Sequence, residues 1–177
     1  GISKAVGTEF LRDFKLLMTS NSGQIYFSHN TEDSAKSGDI FVKLVSEGKG
    51  YLSEGYKITV TDKIVIEAEK REGVIWALKT LLQIMSQSED RSVPRGVIRD
   101  YPQYKVRGLM LDASVKFYDL TYIRGLVLEM SYYKLNDLQI KLSGDKFRLE
   151  NTNSALTAAD GSYTAAEFDE LRTFAAN

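Results

Sequence analysis

The sequence predicts an α/β chain in two parts. Residues 1–101 read as a helix-and-sheet domain with a mostly antiparallel sheet, and residues 102–177 as the opening of a second domain built from strand–helix units. Three observations carry this reading. Tyr56 to Val60 and Ile64 to Ala68 are β-rich runs flanking Thr61-Asp62-Lys63, the pattern of a hairpin with a short loop. Val74, Leu78, Leu81, Leu82 and Met85 fall at helical spacing and leave one apolar stripe. Val106 to Leu111 is short and apolar, Ile123, Leu126, Val127 and Met130 follow at i, i+3, i+4, i+7, and Leu138, Ile140 and Leu142 alternate with polar residues. Strand, helix and strand of ordinary length make a βαβ unit with a right-handed crossover.

Taken in order, Thr8 to Met18 is expected as a helix, with Thr8 as its N-cap and Phe10, Phe14 and Leu17 on one face. Gln24 to Ser28 and Asp39 to Val45 are expected as strands separated by a polar loop over 31–38. Gly48-Lys49-Gly50 is a turn: a phosphate loop needs a longer glycine pattern directly ahead of a helix. The 24–68 strands form the sheet, and a helix over 74–86 packs on one face of it. Trp76 lies off that helix's stripe and is read as a packing residue, with stacking on a sugar as the alternative.

Val93 to Ile98 is a short strand interrupted at Pro94, and Asp100-Tyr101-Pro102 marks the boundary, because a residue before proline is pushed out of helical geometry. Val106 to Leu111 reads as a strand buried on both faces. Beyond a polar segment reaching Gly161, Thr164-Ala-Ala-Glu167 is a capping box, opening a helix whose Phe168, Leu171 and Ala175 face inward.

Composition sets the bounds. The hydrophobic fraction of 43% is that of an ordinary globular protein, and a net charge of −1 argues against nucleic acid as a partner. No apolar run approaches the ~20 residues of a membrane span. With no cysteine there is no disulfide framework, thiolate site or cysteine nucleophile. His29, the one histidine, supports neither a metal site nor a Ser-His-Asp arrangement with Ser114. The chain opens at Gly1 without an initiator methionine, which is read as a mature or trimmed segment.

Arg107-Gly-Leu-Met-Leu-Asp112, followed by Tyr133-Lys-Leu-Asn136 and Leu138-Gln139, resembles the opening of the catalytic barrel of family 20 glycoside hydrolases, the β-N-acetylhexosaminidases and their lacto-N-biosidase-like relatives. Glu54-Gly-Tyr-Lys-Ile58, Gly73 to Leu82 and Ile98-Arg-Asp-Tyr-Pro102 are similar to the small α/β domain that precedes that barrel. The resemblance implies an accessory α+β domain over 1–101 and the first two units of a (β/α)8 TIM barrel over 102–177. It implies a parent enzyme that removes terminal β-linked N-acetylhexosamine, or a related disaccharide, from a glycan by substrate-assisted retaining catalysis. It implies no cofactor, an extracellular or cell-surface setting, and the rest of the barrel as the missing partner of these two units.

Such barrels place reacting groups at the C-terminal ends of their strands, which makes Asp112, Lys116 and Asp145 the candidate substrate-binding residues. Asp112 has a second reading, as a carboxylate satisfying backbone N–H groups in the turn it opens. The position where the family carries a sugar-gripping arginine is Val115, with Lys116 next to it. The family's histidine pair is replaced by Gln139 and Lys141. These departures leave open a non-catalytic carbohydrate-binding or scaffold protein with a degenerate barrel. No catalytic residue is assigned within the chain: Asp169-Glu170 is an adjacent pair of the family's kind, but it falls on the outer face of a capped helix, at least one strand too early.

Overall fold

The computed structural model describes residues 4–17, 28, 31–48, 50–143, 148–150 and 153–176. The chain divides into two compact units, Gly1–Gln103 and Tyr104–Asn177.

The first unit contains α1 (Lys4–Leu17), β1 (Ile40–Leu44), β2 (Tyr56–Val60), β3 (Ile64–Ala68), α2 (Arg71–Gln87) and β4 (Gly96–Asp100). Its sheet runs β1-β3-β2-β4. The hairpin is present with the expected strands, Tyr56 paired with Ala68 and Val60 with Ile64. β2 shows period-two burial, with Tyr56, Ile58 and Val60 inward. These side chains, with Ile66 and Ala68 of β3, meet Val74, Ala77, Leu78, Leu81 and Leu82 of α2. Met85, at the end of the stripe, is half-buried. The helix starts so near the sheet that a Cβ on Gly73 would lie 2.3 Å from the Gly55 carbonyl oxygen, so glycine is required there. The Tyr56 hydroxyl lies 2.6 Å from both Thr80 Oγ1 and Asp100 Oδ2, which ties β2 to α2 and β4. Burial, then the bond to Asp100, pushes its pKa up.

Two expectations change in this unit, the start of the first helix and the start of β4. The first helix begins at Lys4, so Thr8 is an exposed interior residue and not the N-cap. Val6 and Phe10, one turn apart, are both buried, and their anchorage extends the helix backwards. β1 pairs parallel with β3 and the other two pairings are antiparallel, so the sheet is mostly antiparallel, as expected. β4 begins at Gly96, beyond Pro94, because proline has no N–H for the ladder. The strand expected at 24–28 falls outside the described residues apart from Ser28.

A buried cation joins α1 to α2. Lys79, with its side chain 4% exposed, donates to Glu9 Oε1 at 3.2 Å and to Asp13 Oδ2. Two carboxylates around one desolvated ammonium fix how the two helices meet.

The second unit contains β5 (Gly108–Asp112), α3 (Leu120–Tyr132), β6 (Asp137–Lys141) and α4 (Ala165–Ala176). β5 and β6 are parallel, paired from Gly108–Asp137 to Asp112–Lys141, with α3 as the crossover. Asp119 caps α3, its carboxylate accepting from the Tyr122 N–H at 2.8 Å. Ile123 and Met130 are buried, as the stripe requires. The capping box of α4 forms: the Thr164 N–H donates to Glu167 Oε2 at 2.8 Å and the Glu167 N–H to Thr164 Oγ1 at 3.1 Å. Ile123, Tyr163 and Leu171 form the core, with Leu111, Leu138, Ile140, Leu142 and Phe168 around it.

Two expectations are corrected here. β5 is not buried on both faces: Met110 is 58% exposed and Val106, outside the strand, 68%. Among the described residues β5 pairs with β6 alone, and the core covers only the face that carries Leu111. Ala175 is exposed, and Phe174 takes the partly buried position beyond Leu171.

Candidate functional site

The C-terminal ends of β5 and β6 lie side by side because the strands are parallel and in register, with Asp112 opposite Lys141. Period-two alternation puts both on the face away from the helix-covered core. Lys141 Nζ lies 2.9 Å from Asp112 Oδ2. The other carboxylate oxygen accepts from the Ser114 backbone N–H at 2.9 Å and from the Ser114 hydroxyl. These bonds, led by the Ser114 hydroxyl and then by Lys141, hold the Asp112 carboxyl at a pKa of about 2. Asp112 is therefore a fixed anion, which makes it an acceptor and not a proton donor near neutral pH. Its turn-satisfying reading is realised in the bond to the Ser114 N–H, and its partner Lys141 entered the sequence reading only as a replacement for one of the family's histidines.

Val115 follows on the same loop and is 86% exposed. Lys116 is exposed beside it, with Nζ 5.4 Å from the centre of the Tyr118 ring, within cation–π range. Asp112 is thus in contact with both Ser114 and Lys141, with Lys116 further along the same loop. Asp145 and His29 lie outside the described residues. Asp169 and Glu170 are exposed on α4, where Glu170 pairs with Arg124 of α3 at 2.6 Å and Asp169 with Arg172 at 3.5 Å. Trp76, in the first unit, is half-buried and donates its indole N–H to Glu54 Oε2 at 2.7 Å, as a packing residue does. Among the described residues no group of three His, Cys, Asp or Glu side chains could hold a metal ion, and no helix is long and apolar enough to cross a membrane.

The opposite ends of the two strands explain part of the sequence pattern. Asn136 Oδ1 accepts from the Arg107 N–H at 2.9 Å, and its Nδ2 donates to the Lys105 carbonyl at 2.9 Å. Arg107 Nε donates to the Lys134 carbonyl at 2.8 Å. Arg107 and Asn136 therefore clamp the strand entrances, away from the candidate site, and their role is structural.

Sequence reasoning missed Arg148. It is 3% exposed, and its Nε donates to the carbonyl of Ala113, the residue after Asp112, at 2.9 Å. Nothing in its local pattern separates it from a solvated surface arginine.

Comparison with known proteins agrees with this architecture. The family model described as glycosyl hydrolase family 20, domain 2, matches residues 12–101, and that for the family 20 catalytic domain matches 104–175. A β-hexosaminidase of Vibrio furnissii is 37% identical over 103 residues, which are 56% of this chain and 17% of that protein. A β-hexosaminidase of Akkermansia muciniphila is 35% identical over 97 residues, 53% of this chain and 20% of that protein. The chitobiase of Flavobacterium johnsoniae superposes with a TM-score of 0.78 at 26% identity, covering 97% of this chain and 27% of that one. For the β-N-acetylhexosaminidase of Streptomyces coelicolor the TM-score is 0.67 at 27% identity, covering 81% of this chain and 33% of that one. The matched region is thus a fifth or less of the length of these sequence relatives, and about a third or less of the solved chains.

Proposed function

Because the chain belongs to glycosyl hydrolase family 20, we propose that it is the N-terminal portion of a glycoside hydrolase that removes terminal β-linked N-acetylhexosamine units from glycans. Its first unit is the accessory domain, and its second is the start of the (β/α)8 barrel. The observation that carries this is collinearity: the two family models match the two units in order, and the second unit is a parallel βαβ pair, as a barrel opening must be. β-Hexosaminidases and a chitobiase among the similar proteins support the same substrate class.

In this reading Asp112, Lys116 and Asp145 line the sugar pocket. Asp112 and Asp145 accept hydrogen bonds from sugar hydroxyls, and Lys116 supplies a cation at the rim. The acid that protonates the leaving oxygen, and the aspartate that orients the substrate's acetamido group, belong to barrel strands beyond the two described. The test is release of aryl alcohol from aryl N-acetyl-β-hexosaminides by the full-length protein, with aryl β-glucosides lacking the acetamido group as controls. Turnover of the first and not the second is expected. Asp145→Asn should lower kcat/KM by roughly 10- to 1000-fold, about 1.4–4 kcal/mol of transition-state stabilisation. Equal turnover of both substrates, or of neither, would overturn the reading.

One observation favours a second reading, sugar binding without turnover. Exposed Val115 stands where the family carries a sugar-gripping arginine and offers no donor to a sugar hydroxyl. Saturable binding of N-acetylhexosamine with no hydrolysis would select it.

A further inference from the structure

We propose that Arg148 is the positioning residue of the candidate site, a buried cation that fixes the loop over 113–118 and with it Asp112, Ser114 and Lys116. This rests on the glycoside hydrolase reading for its kinetic consequence, but not for its structural one.

The argument starts from cost. A guanidinium with 3% exposure has left water, and the carboxylate it meets among the described residues, Asp160, is itself two-thirds exposed. A buried charge in that position gives little net stability, and an apolar side chain of similar volume would pack as well. What an apolar side chain cannot do is hold three oxygens at once. Arg148 Nε donates to the Ala113 carbonyl at 2.9 Å, while Nη1 donates to Asp160 Oδ1 and to the Gly161 carbonyl at 3.1 Å. Its backbone adds two more ties, its N–H to the Leu142 carbonyl at 2.8 Å and its carbonyl from the Tyr163 N–H at 2.6 Å. One residue therefore joins the exit of β5, the exit of β6 and the 160–163 segment.

Ala113 is held from both sides. Its N–H donates to the Lys141 carbonyl at 3.0 Å, its carbonyl accepts from Arg148, and its side chain is fully buried. The peptide leaving β5 has no freedom to rotate, so the directions of Asp112 before it and Ser114 after it are set. The far end of the loop is held by the same segment. The Tyr163 hydroxyl donates to the Tyr118 carbonyl, and its ring lies 5.0 Å from Phe117. Gly161, at φ +140°, lies so close under Phe117 that a Cβ would come within 2.4 Å of the ring. The loop is built before any sugar arrives, and a preorganised loop lowers the cost of binding.

The test uses the full-length protein and four variants: Arg148→Met, Arg148→Lys, Asp160→Asn and Leu171→Ala. Leu171 lies in the same core but makes no polar contact with the loop, and controls for general loosening. Hydrogen exchange should accelerate at 113–118 in Arg148→Met and, to a smaller extent, in Asp160→Asn, whereas Leu171→Ala spreads its effect over the unit. With aryl N-acetyl-β-hexosaminide as substrate, Arg148→Met should raise KM about tenfold with kcat within about threefold, the signature of lost ground-state binding. Arg148→Lys should fall between, since an ammonium is a point charge without the fork. Leu171→Ala should lower Tm without raising KM. Wild-type exchange at 113–118 in Asp160→Asn and in either Arg148 variant would overturn the proposal. So would a KM that rises equally in Leu171→Ala. If Arg148→Met does not fold, Arg148→Lys and Asp160→Asn decide. An inactive wild-type protein would refute the glycosidase reading alone, and the exchange measurement would still judge Arg148.

Discussion

Asp112 illustrates how much of a site is set by the atoms nearest to it. Its carboxyl is held at about 2 by the Ser114 hydroxyl and then by Lys141. The folded value lies below the unfolded one, so whatever stability this group supplies is present above about pH 4 and is lost as pH falls towards about 2. A carboxyl-carbon titration by NMR should follow that transition, and Ser114→Ala and Lys141→Met should each move the midpoint upward. A midpoint unmoved in both variants would show that neither contact forms in solution. Lys79 is the buried counterpart in the first unit, enclosed by Glu9 and Asp13. Lys79→Met leaves two carboxylates desolvated without their cation and should cost about 3–5 kcal/mol in chemical denaturation. A loss of less than about 1 kcal/mol would mean that α1 leaves α2 readily.

At the scale of elements, the apolar stripe of α2 makes the sharpest claim. Leu81 is fully buried between the helix and the sheet, and Leu81→Ala should cost about 2–5 kcal/mol in denaturant unfolding. A change under about 0.5 kcal/mol would remove the stripe from the core. The hairpin, α2, α3, β6 and the capping box of α4 were legible because each is fixed by a local pattern: a short polar loop, a 3.6-residue stripe, alternation or a reciprocal cap. What was not legible depends on partners distant in sequence. The parallel direction of β1 against β3 leaves no trace in either strand's alternation. The backward extension of α1 depends on Val6 finding its place in the first unit's core. Ala175 fits the helical period, yet Phe174 beside it takes the partly buried place. At the site, Asp112 and Lys116 are proposed from their position at a strand end. Lys141 was read only as a replaced histidine, and Arg148 passed unnoticed, because a charge buried by a returning loop looks like any solvated charge.

For the whole molecule, the family assignment and the geometry make a joint prediction about activity. The adjacent acids Asp169 and Glu170 are exposed on α4 and engaged with Arg172 and Arg124. They face away from the strand ends where barrel chemistry occurs. The 177-residue chain alone should therefore release no detectable aryl alcohol from aryl N-acetyl-β-hexosaminides, while the full-length protein does. Turnover by the isolated chain that vanishes on Asp169→Asn or Glu170→Gln would refute this and move the acid pair onto α4.

The difference between the two strand pairings also bears on the time course of folding. β2 and β3 close across three residues, Thr61 to Lys63, a search that hairpins complete within about 1–10 μs. Asp112 and Lys141 are 29 residues apart, and pairing β5 with β6 closes a loop that spans the whole of α3. Loop closure must come before those non-local contacts can reward it, so the hairpin is the natural nucleus of the first unit and the parallel pair a late event in the second. A chain emerging from the ribosome would have its 56–68 hairpin in place before the strand ends that carry the candidate site come together.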